Sequence, residues 1–330
     1  MDRATRLVSG RARAGVRLCR AYTTGSASTF DPVVTPKWLE EQRNVKILDA
    51  TWYLPSKKLD GKDDFRKARI PNAQYFDIDA IADKSASLKH MLPPSNAFAA
   101  AMDSLNITNS DTVVVYETNG IAFAAARAWW MFRCFGHDDV RVLDGGMPAW
   151  RKDGNLALDE TVVGSHLINA PGLAAMEAQE SGKSDFKYQA TLRENLVVSK
   201  QDILSDLSKE DNKKFLLDAR GEARFRGTEP EAKPGLRSGH IPGSFSMHYN
   251  SLLQDGTLMK SKETLLENGL FCEALEHSKN GEMAITATCG SGVTACVIAL
   301  AFARFGQEVS VYDGSWSDWG ADPDLPLETG

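Results

Sequence analysis

The chain repeats itself: four short blocks occur twice, in the same order, at an offset of 169 to 172 residues. The pairs are KILDA and FLLDA, RIPNA and HIPGS, TVVVYETNG and MAITATCGSG, and VLDGGMPAW and VYDGSWSDW. A chain of 330 residues is also too long for one core of average size. We therefore predict two copies of one domain, 31–150 and 193–330, joined by a polar, weakly patterned linker at 151–192.

Each copy has the pattern of an α/β domain. Short apolar strands, such as Thr112–Tyr116 and 309–312, alternate with helical stretches of ten to fifteen residues. Each long helical stretch ends at Phe-Gly, which puts glycine at the usual C-terminal cap position. This alternation predicts, in each copy, a mostly parallel sheet with helices on both faces.

The first thirty residues differ from the rest in composition. They contain six arginines, no lysine and one acidic residue, together with several serines and threonines. An Arg-rich, Ser-rich and acid-poor start is typical of a transit peptide, most often a mitochondrial one. We expect residues 1–30 to direct the protein to the mitochondrial matrix and to be cleaved near residues 20–24.

Charge and cysteine content exclude several classes of protein. The full chain has a formal charge of −6, and the part after residue 30, with 32 basic and 43 acidic residues, has −11. Such an acidic protein is a poor partner for nucleic acid or an anionic membrane. Its five cysteines include no CxxC pair and no histidine at ligand spacing, so no zinc site is indicated. Of these cysteines, Cys134, Cys272 and Cys296 lie in helix-like surroundings and are expected in the core.

Cys289 is the exception. It follows a predicted strand at 283–288 and precedes a predicted helix at 294–305, with Gly290 and Gly292 between them. The glycines allow a tight loop whose N–H groups point at one anion, and the helix dipole adds positive potential at the same place. Both effects favour a thiolate, which is the form a nucleophilic cysteine needs. The aligned position in the first copy is Glu117, so that copy is expected to be inactive.

Several thiolate chemistries use such a loop, and the neighbouring residues restrict them. A tyrosine-phosphatase-like loop needs an arginine six residues after the cysteine, where this chain has Ala295. A thioredoxin-type enzyme needs a second cysteine close by, where this chain has Ser291. A cradled thiolate with neither residue suits attack on a sulfur atom, which would leave a persulfide held by the N–H groups.

Two tandem α/β domains and the loop CGSGVTA at 289–295 resemble the two-domain rhodanese family. The resemblance covers 31–320 and implies two tandem rhodanese-like domains, the second of them catalytic. A Cys-Gly-Ser/Thr-Gly-Val-Thr loop is typical of the members that act on 3-mercaptopyruvate. Members that act on thiosulfate typically carry two basic residues directly after the cysteine. The resemblance makes Cys289 the catalytic residue and assigns the substrate-binding loop to Gly290, Gly292, Val293 and Thr294.

The resemblance also implies a hydrogen-bonded proton relay of an aspartate, a histidine and a loop serine. The matching residues are Asp79 in YFDID, His90 in LKHMLP, and Ser291. Without the resemblance, His90 reads as a surface histidine and Asp79 as a turn or cap residue.

A carboxylate-binding pair falls on Arg224 and Lys233 in RFRGTEPEAK. The second position is usually arginine in the family, and lysine keeps the charge but loses the bidentate geometry of guanidinium. A further departure is Arg69, which stands where the first domain often has histidine before Ile-Pro. We expect Arg69 to have a structural role at the domain surface.

The activity implied by the resemblance is transfer of sulfur from 3-mercaptopyruvate through a Cys289 persulfide. Cyanide or a thiol such as thioredoxin would accept the sulfur, and pyruvate would be released. No metal or organic cofactor is implied. One alternative is a thiosulfate sulfurtransferase, and the other is a non-catalytic module that carries a persulfide or senses redox state. Comparing kcat/KM for the two donors separates the enzymes, and multiple turnovers exclude the non-catalytic module.

Overall fold

The computed structural model describes residues 30–120, 123–152, 156–209 and 214–330. These residues form two compact units. The N-terminal unit comprises 32–195 and 255–258, and the C-terminal unit comprises 30–31, 196–254 and 259–330. The expected transit peptide lies outside the described residues.

The N-terminal unit contains a five-stranded sheet with the strand order β1-β5-β4-β2-β3, and every pair of neighbours is parallel. Its strands are β1 (Val33–Val34), β2 (Val45–Asp49), β3 (Gln74–Tyr75), β4 (Thr112–Tyr116) and β5 (Val140–Leu143). Its helices are α1 (Pro36–Glu40), α2 (Gly61–Lys67), α3 (Ile78–Ile81), α4 (Ser95–Ser104), α5 (Phe123–Cys134), α6 (Gly146–Lys152) and α7 (Ser165–Ser181), with a 3₁₀ turn at Pro55–Lys57.

The C-terminal unit contains a second parallel five-stranded sheet, in the order β6-β12-β11-β7-β8. The strands of this sheet are β6 (Val197–Val198), β7 (Lys214–Asp218), β8 (Phe245–Ser246), β11 (Ala284–Thr288) and β12 (Ser310–Tyr312). The strands β9 (Leu253–Gln254) and β10 (Leu258–Met259) form a separate two-stranded sheet. The helices of the unit are α8 (Lys200–Leu207), α9 (Glu222–Phe225), α10 (Lys262–Leu266), α11 (Gly269–Lys279), α12 (Ala295–Ala303) and α13 (Ser315–Trp319), with a 3₁₀ turn at Tyr249–Leu252. A further 3₁₀ turn, Glu194–Leu196, and strand β10 each include residues of both units.

The two sheets have the same topology. In each sheet the second strand along the chain, β2 or β7, lies next to β4 or β11, the strand that ends just before Glu117 or Cys289. The first strand, β1 or β6, lies at one edge. Helices flank both sheets, so the α/β fold predicted for each copy is confirmed. Because all strands of a sheet run the same way, their carboxyl ends share one edge, where sites in such sheets form.

The helix after the cysteine loop, and its counterpart in the N-terminal unit, is central to each unit, since nearly all of its side chains are packed. In α5, eleven of the twelve side chains are buried, and in α12 eight of the nine. Gly136 and Gly306 follow these helices with φ angles of 88° and 65°, which a residue with a side chain adopts only at a cost. These two glycines end the helices as the sequence predicts.

The segment 151–192 contains more structure than its weak pattern suggests. The 17-residue helix α7 occupies its middle, packs against α4, and belongs to the N-terminal unit. Asn96 of α4 fixes this packing by donating a hydrogen bond of 2.7 Å to the carbonyl of Ala178. The pattern was weak because α7 contains Pro171 and buries only four side chains.

Arg69 makes structural contacts, but it is buried and does not lie at the domain surface as the sequence suggests. Its side chain donates to Asp159 at 2.7 Å and to the carbonyl of Thr161 at 3.1 Å. Arg69 and Asp159 also form an isolated backbone bridge, as His240 and Glu328 do in the C-terminal unit. Through these hydrogen bonds Arg69 anchors the segment after α6 to the rest of the N-terminal unit.

None of the helices in the described parts of the chain is long and apolar enough to cross a membrane.

Candidate active site

Cys289 lies directly after β11, at the carboxyl edge of the C-terminal sheet. The side chain is only 1% exposed. Its backbone is held by the start of α13: the N–H of Cys289 donates to Oγ of Ser315 at 3.2 Å, and its carbonyl accepts from the N–H of Trp316 at 3.0 Å. The hydroxyl of Ser315 also lies 4.0 Å from the sulfur of Cys289. The sulfur is therefore fixed in place with a hydroxyl beside it.

Ser315 has an unusual backbone for a residue with a side chain. Its φ angle is 52°, in the left-handed region, and the aligned residue of the N-terminal unit is Gly146, also at 52°. A residue with a side chain is held in this region at a cost, so its persistence calls for a reason. The contact of its hydroxyl with Cys289 supplies one, and sequence patterns do not reveal it.

The loop 290–294 has the form that the sequence predicts. Gly292 has a φ angle of 77°, and α12 begins at Ala295. The N–H groups of Ser291, Val293 and Thr294 have no acceptor within the described ranges. These donors are available to an anion at the helix N-terminus. The loop is held from below, because the carbonyl of Gly290 accepts two hydrogen bonds from Ser317, of 2.9 Å and 2.7 Å.

Arg224 lies next to this loop. A Cβ added to Gly290 would be 3.3 Å from Nη2 of Arg224. The Arg224 side chain is 31% exposed, and its Nε and Nη2 both donate to Glu231, the former at 3.2 Å. The structure therefore brings together two of the predicted site elements, the cysteine loop and one of the two carboxylate-binding cations.

Lys233, the second predicted cation, is exposed in the loop after Glu231. Among the described residues it has no hydrogen bond or ion pair that would hold it at the loop. Its placement at the substrate stays a prediction.

Beneath Arg224 is a buried ionic network that the sequence analysis missed. Arg220 is 1% exposed and donates to Glu231 at 2.7 Å, to Asp218 at 2.7 Å and to the carbonyl of Gly239 at 2.8 Å. Its guanidinium group also lies 4.3 Å from the ring centre of Trp316. Burial lowers the pKa of Arg220, but the carboxylates of Asp218 and Glu231 outweigh burial and raise it, so the charge is retained. A DAR triplet after a buried strand is the sequence signal for this network.

Asp79 and His90 form a pair in the N-terminal unit. Nδ1 of His90 hydrogen-bonds Oδ1 of Asp79, and Nε1 of Trp52 donates to Oδ2 of Asp79 at 2.8 Å. Burial raises the pKa of Asp79, but the hydrogen bond and charge of His90, with help from Trp52 and Lys89, outweigh it and leave the pKa below its usual value. Asp79 is therefore an ionised partner for His90.

His90 is not the surface residue that its polar surroundings suggest. It is 8% exposed, its φ angle is 67°, and its carbonyl accepts from the guanidinium of Arg127. The edge of the Trp52 ring contacts the imidazole, with 5.2 Å between ring centres. This packing fixes the imidazole against Asp79 and gives it one orientation.

The loop of the N-terminal unit contains a carboxyl group where the C-terminal loop has the thiol. Glu117 is 1% exposed, and its Oε1 accepts the N–H groups of Ala124 and Ala125 at 2.7 Å and 2.9 Å. Burial raises the pKa of Glu117 well above its usual value. The first turn of α5 is thus occupied by a side chain of the domain itself.

Asp49, the counterpart of Asp218, has no arginine partner among the described residues, since Thr51 replaces Arg220. Burial raises the pKa of Asp49 to about 6, and hydrogen bonds from Thr51 and Thr118 offset this only in part. A carboxyl group with a raised pKa stabilises the fold below its unfolded pKa, and the contribution is lost as the pH rises through about 6.

We therefore expect Asp49→Asn to change the pH dependence of stability. Between pH 4 and pH 7 the free energy of unfolding of the unmodified protein should fall, relative to the variant, by about 2 kcal/mol, because burial raises the pKa of Asp49 from 3.8 to about 6. Urea unfolding at several pH values measures this difference. Parallel pH profiles for the two proteins would show that Asp49 is ionised at little cost.

The other predicted core cysteines are buried in helices. Cys134 lies in α5, Cys272 in α11 and Cys296 in α12. The sulfur of Cys296 donates to the carbonyl of Gly292 at 3.2 Å, which fixes it as part of the helix start. Within the described ranges, no group of three or more His, Cys, Asp or Glu side chains could hold a metal ion.

Comparisons with known proteins agree with this architecture. The family model described as "Rhodanese-like domain" matches the chain twice, at 35–153 and 200–322. "Thiosulfate/3-mercaptopyruvate sulfurtransferase 1, mitochondrial" of Arabidopsis thaliana is 40% identical over 326 residues, which cover 96% of this chain and 83% of that protein. "3-mercaptopyruvate sulfurtransferase" of Mus musculus is 36% identical over 301 residues, which cover 88% of this chain and 92% of that protein.

Among solved structures, SseA of Escherichia coli, titled as a 3-mercaptopyruvate sulfotransferase with the rhodanese fold, superposes with a TM-score of 0.66. It is 31% identical, and the match covers 87% of this chain and 99% of that chain. Two family matches and these relatives lead to one conclusion: the chain belongs to the rhodanese family, with two rhodanese-like domains.

Proposed function

We propose that the protein is a sulfurtransferase that takes sulfur from 3-mercaptopyruvate onto Cys289 and passes it to a nucleophilic acceptor. The observation that carries the proposal is the buried cysteine beside Arg224, in a loop where the N–H groups of Ser291, Val293 and Thr294 have no acceptor among the described residues. The names of the Arabidopsis and mouse relatives, both of which include 3-mercaptopyruvate, support the choice of donor.

The Cys289 thiolate attacks the sulfur of the donor. An S–S bond forms, the C–S bond breaks, and its electron pair leaves on the enolate of pyruvate, which then takes up a proton. The N–H groups of Ser291, Val293 and Thr294 stabilise the persulfide anion. Attack by cyanide or a thiolate on the outer sulfur then regenerates the Cys289 thiolate. We propose a thiol such as thioredoxin as the acceptor in the cell.

The donor also needs a partner for its carboxylate. Arg224 supplies a guanidinium group close to the loop, and Lys233 supplies a second charge from an exposed position. Holding the carboxylate places the donor sulfur for attack, which is an orientation effect.

Lys233→Arg should lower KM for 3-mercaptopyruvate, because a guanidinium fork offers two parallel hydrogen bonds where an ammonium acts as a point charge. Steady-state kinetics at fixed cyanide measures this change. An unchanged KM would mean that Lys233 does not contact the donor.

We propose that Asp79, His90 and Ser291 supply the proton that the enolate takes up. The hydrogen bond between Asp79 and His90 supports this role, since an ionised carboxylate fixes the orientation of the imidazole for proton transfer. Ser291 is the loop hydroxyl that matches the family's relay.

His90→Gln should therefore lower kcat for 3-mercaptopyruvate on the order of a hundredfold, the lower end of the usual range for general acid catalysis. The rate with thiosulfate should change much less, because its leaving group is sulfite, which, unlike the enolate of pyruvate, does not have to be protonated. Equal losses with both donors would contradict a proton-transfer role and indicate a structural one.

Two other functions are tested by the same kinetics. A higher kcat/KM with thiosulfate than with 3-mercaptopyruvate, both with cyanide as acceptor, would make the protein a thiosulfate sulfurtransferase. A single turnover without release of the sulfur would make it a persulfide carrier or redox sensor. The glycine and serine after Cys289, in place of two basic residues, favour 3-mercaptopyruvate.

We further propose that the protein works in the mitochondrial matrix after cleavage near residues 20–24, with an inactive N-terminal domain and a catalytic domain at 193–330. The basic composition of the first thirty residues and the mitochondrial relative support this localisation. The N-terminal sequence of the protein purified from mitochondria tests it. An unprocessed N-terminus would count against cleavage, and a tagged precursor that stayed in the cytosol would contradict import.

A further inference from the structure

Glu231 connects two arginines of very different exposure in the C-terminal unit. Its Oε1 accepts from Arg220 at 2.7 Å, and its Oε2 accepts from Nε of Arg224 at 3.2 Å and from Nη2 of the same group. The side chains of Glu231 and Arg220 are 2% and 1% exposed, whereas that of Arg224 is 31% exposed. One carboxylate thus ties the arginine beside the loop to the buried arginine beneath it.

The buried side of this connection is rigid. Asp218 and the carbonyl of Gly239 fix the guanidinium of Arg220, and Trp316 stacks on it. Trp316 also donates its N–H to the carbonyl of Cys289. The orientation of Arg224 is therefore set by the same packing that sets the position of the nucleophile.

Arg224 keeps hydrogen-bonding capacity toward the loop. Two of its five N–H groups donate to Glu231, and the other three have no acceptor within the described ranges. Nη2 faces the space next to Gly290. A guanidinium group that is fixed by two hydrogen bonds and has three further N–H donors is suited to bind a carboxylate.

We propose that Glu231 is a positioning residue that also selects the donor. It holds Arg224 toward the loop, and its charge keeps the network neutral, which favours a monoanionic 2-oxo acid over a dianionic donor. This inference rests on the proposed function and concerns the same site.

The network has no net formal charge. Two carboxylates, Asp218 and Glu231, and two guanidinium groups, Arg220 and Arg224, have formal charges that cancel. A neutral network gives a donor directed hydrogen bonds but no net attraction. 3-Mercaptopyruvate carries one carboxylate, whereas thiosulfate carries two negative charges, and the second charge is poorly compensated in a site of low dielectric.

The described part of the N-terminal unit has no such network. Thr51 stands where the C-terminal unit has Arg220, and Asp49 accepts hydrogen bonds from Thr51 and Thr118 in place of an arginine. Among the described residues, the network is thus found in the copy that has the cysteine and not in the copy without it, although the two sheets have the same topology. This difference links the network to the chemistry and not to the fold.

The test compares the ratio of kcat/KM for 3-mercaptopyruvate to kcat/KM for thiosulfate in the full-length protein and two variants. Glu231→Gln gives the network one positive charge, which attracts a dianion more than a monoanion, so the ratio should fall roughly tenfold. Glu231→Asp keeps the charge but is shorter and holds Arg224 less well, so it should raise KM for both donors, 3-mercaptopyruvate included, and leave the ratio unchanged. Glu222→Gln is the matched control, since Glu222 forms an exposed pair with Arg226 and removing its charge should leave the ratio as it is.

An unchanged donor ratio in folded Glu231→Gln would overturn the charge-selection role. An unchanged KM in Glu231→Asp would overturn the positioning role. If Glu231→Gln does not fold, the KM of Glu231→Asp is the measurement that tests the proposal. Circular dichroism and urea unfolding establish folding first. Arg224→Ala distinguishes failure of this inference from failure of the proposed function. If Arg224→Ala leaves the kinetics unchanged, the proposed carboxylate site itself is wrong. If Arg224→Ala changes the kinetics and the Glu231 variants do not, only the role of Glu231 is wrong.

Discussion

Cys289→Ser should abolish sulfur transfer while the domain stays folded. A serine hydroxyl is not ionised at neutral pH and cannot hold a persulfide, so no second half-reaction is available. The fold should persist because the contacts that hold this residue, with Ser315 and Trp316, are made by its backbone N–H and carbonyl. Release of pyruvate and thiocyanate measures the loss, and the urea unfolding midpoint measures folding.

Cys296→Ser is the matched control for this change. Cys296 lies seven residues further on in α12, fully buried, and its sulfur donates to the carbonyl of Gly292. A serine hydroxyl can donate the same hydrogen bond, so this variant should keep most of the activity. An inactive Cys296 variant beside an active Cys289 variant would contradict the assignment of the nucleophile.

Arg224→Ala should have the next largest effect. It removes the guanidinium beside the loop and leaves the donor carboxylate without its charged partner. Truncating one side of such a pair costs about 2–5 kcal/mol, so kcat/KM for 3-mercaptopyruvate should fall by roughly 30-fold to a few thousandfold. Initial rates at low donor concentration give kcat/KM directly.

Arg226→Ala provides a control on the same helical segment. Arg226 pairs with Glu222 at 2.5 Å, and both side chains are about half exposed, so the pair contributes little to stability. This variant should resemble the unmodified protein in its kinetics. Similar losses in both variants would indicate a general effect of surface charge and would remove Arg224 from the site.

The repeat and the local patterns predicted much of the fold. The offset near 170 residues predicted two copies, and both sheets have the same strand order. Strand β4 has its predicted bounds, and β11 and α12 begin one residue later than predicted. Helix α7 was missed because its apolar stripe is narrow and a proline interrupts it. Apolar periodicity reveals helices with a wide buried face and misses helices, such as α7, that bury only a narrow stripe of side chains.

The site was predictable only where its residues are adjacent in sequence. The Cys289 loop is one continuous motif, and spacing alone indicated its chemistry. The pairing of Asp79 with His90 joins residues eleven apart through an irregular loop, and only the resemblance indicated it. The role of Glu231 depends on its burial between two arginines, which no local pattern encodes. Hydrogen-bond and ion-pair partners that come together only through tertiary packing could therefore not be predicted from local sequence patterns.

Mass spectrometry of the protein shows directly whether sulfur is carried on Cys289. The protein is incubated with 3-mercaptopyruvate without an acceptor, its free thiols and persulfides are alkylated, and its peptides are analysed. We expect one additional sulfur atom on the peptide that contains Cys289, one pyruvate released for each persulfide, and loss of that sulfur when cyanide is added. Additional sulfur on Cys134 or Cys296 with Cys289 unmodified, or release of pyruvate with no persulfide on any cysteine, would contradict this role of Cys289.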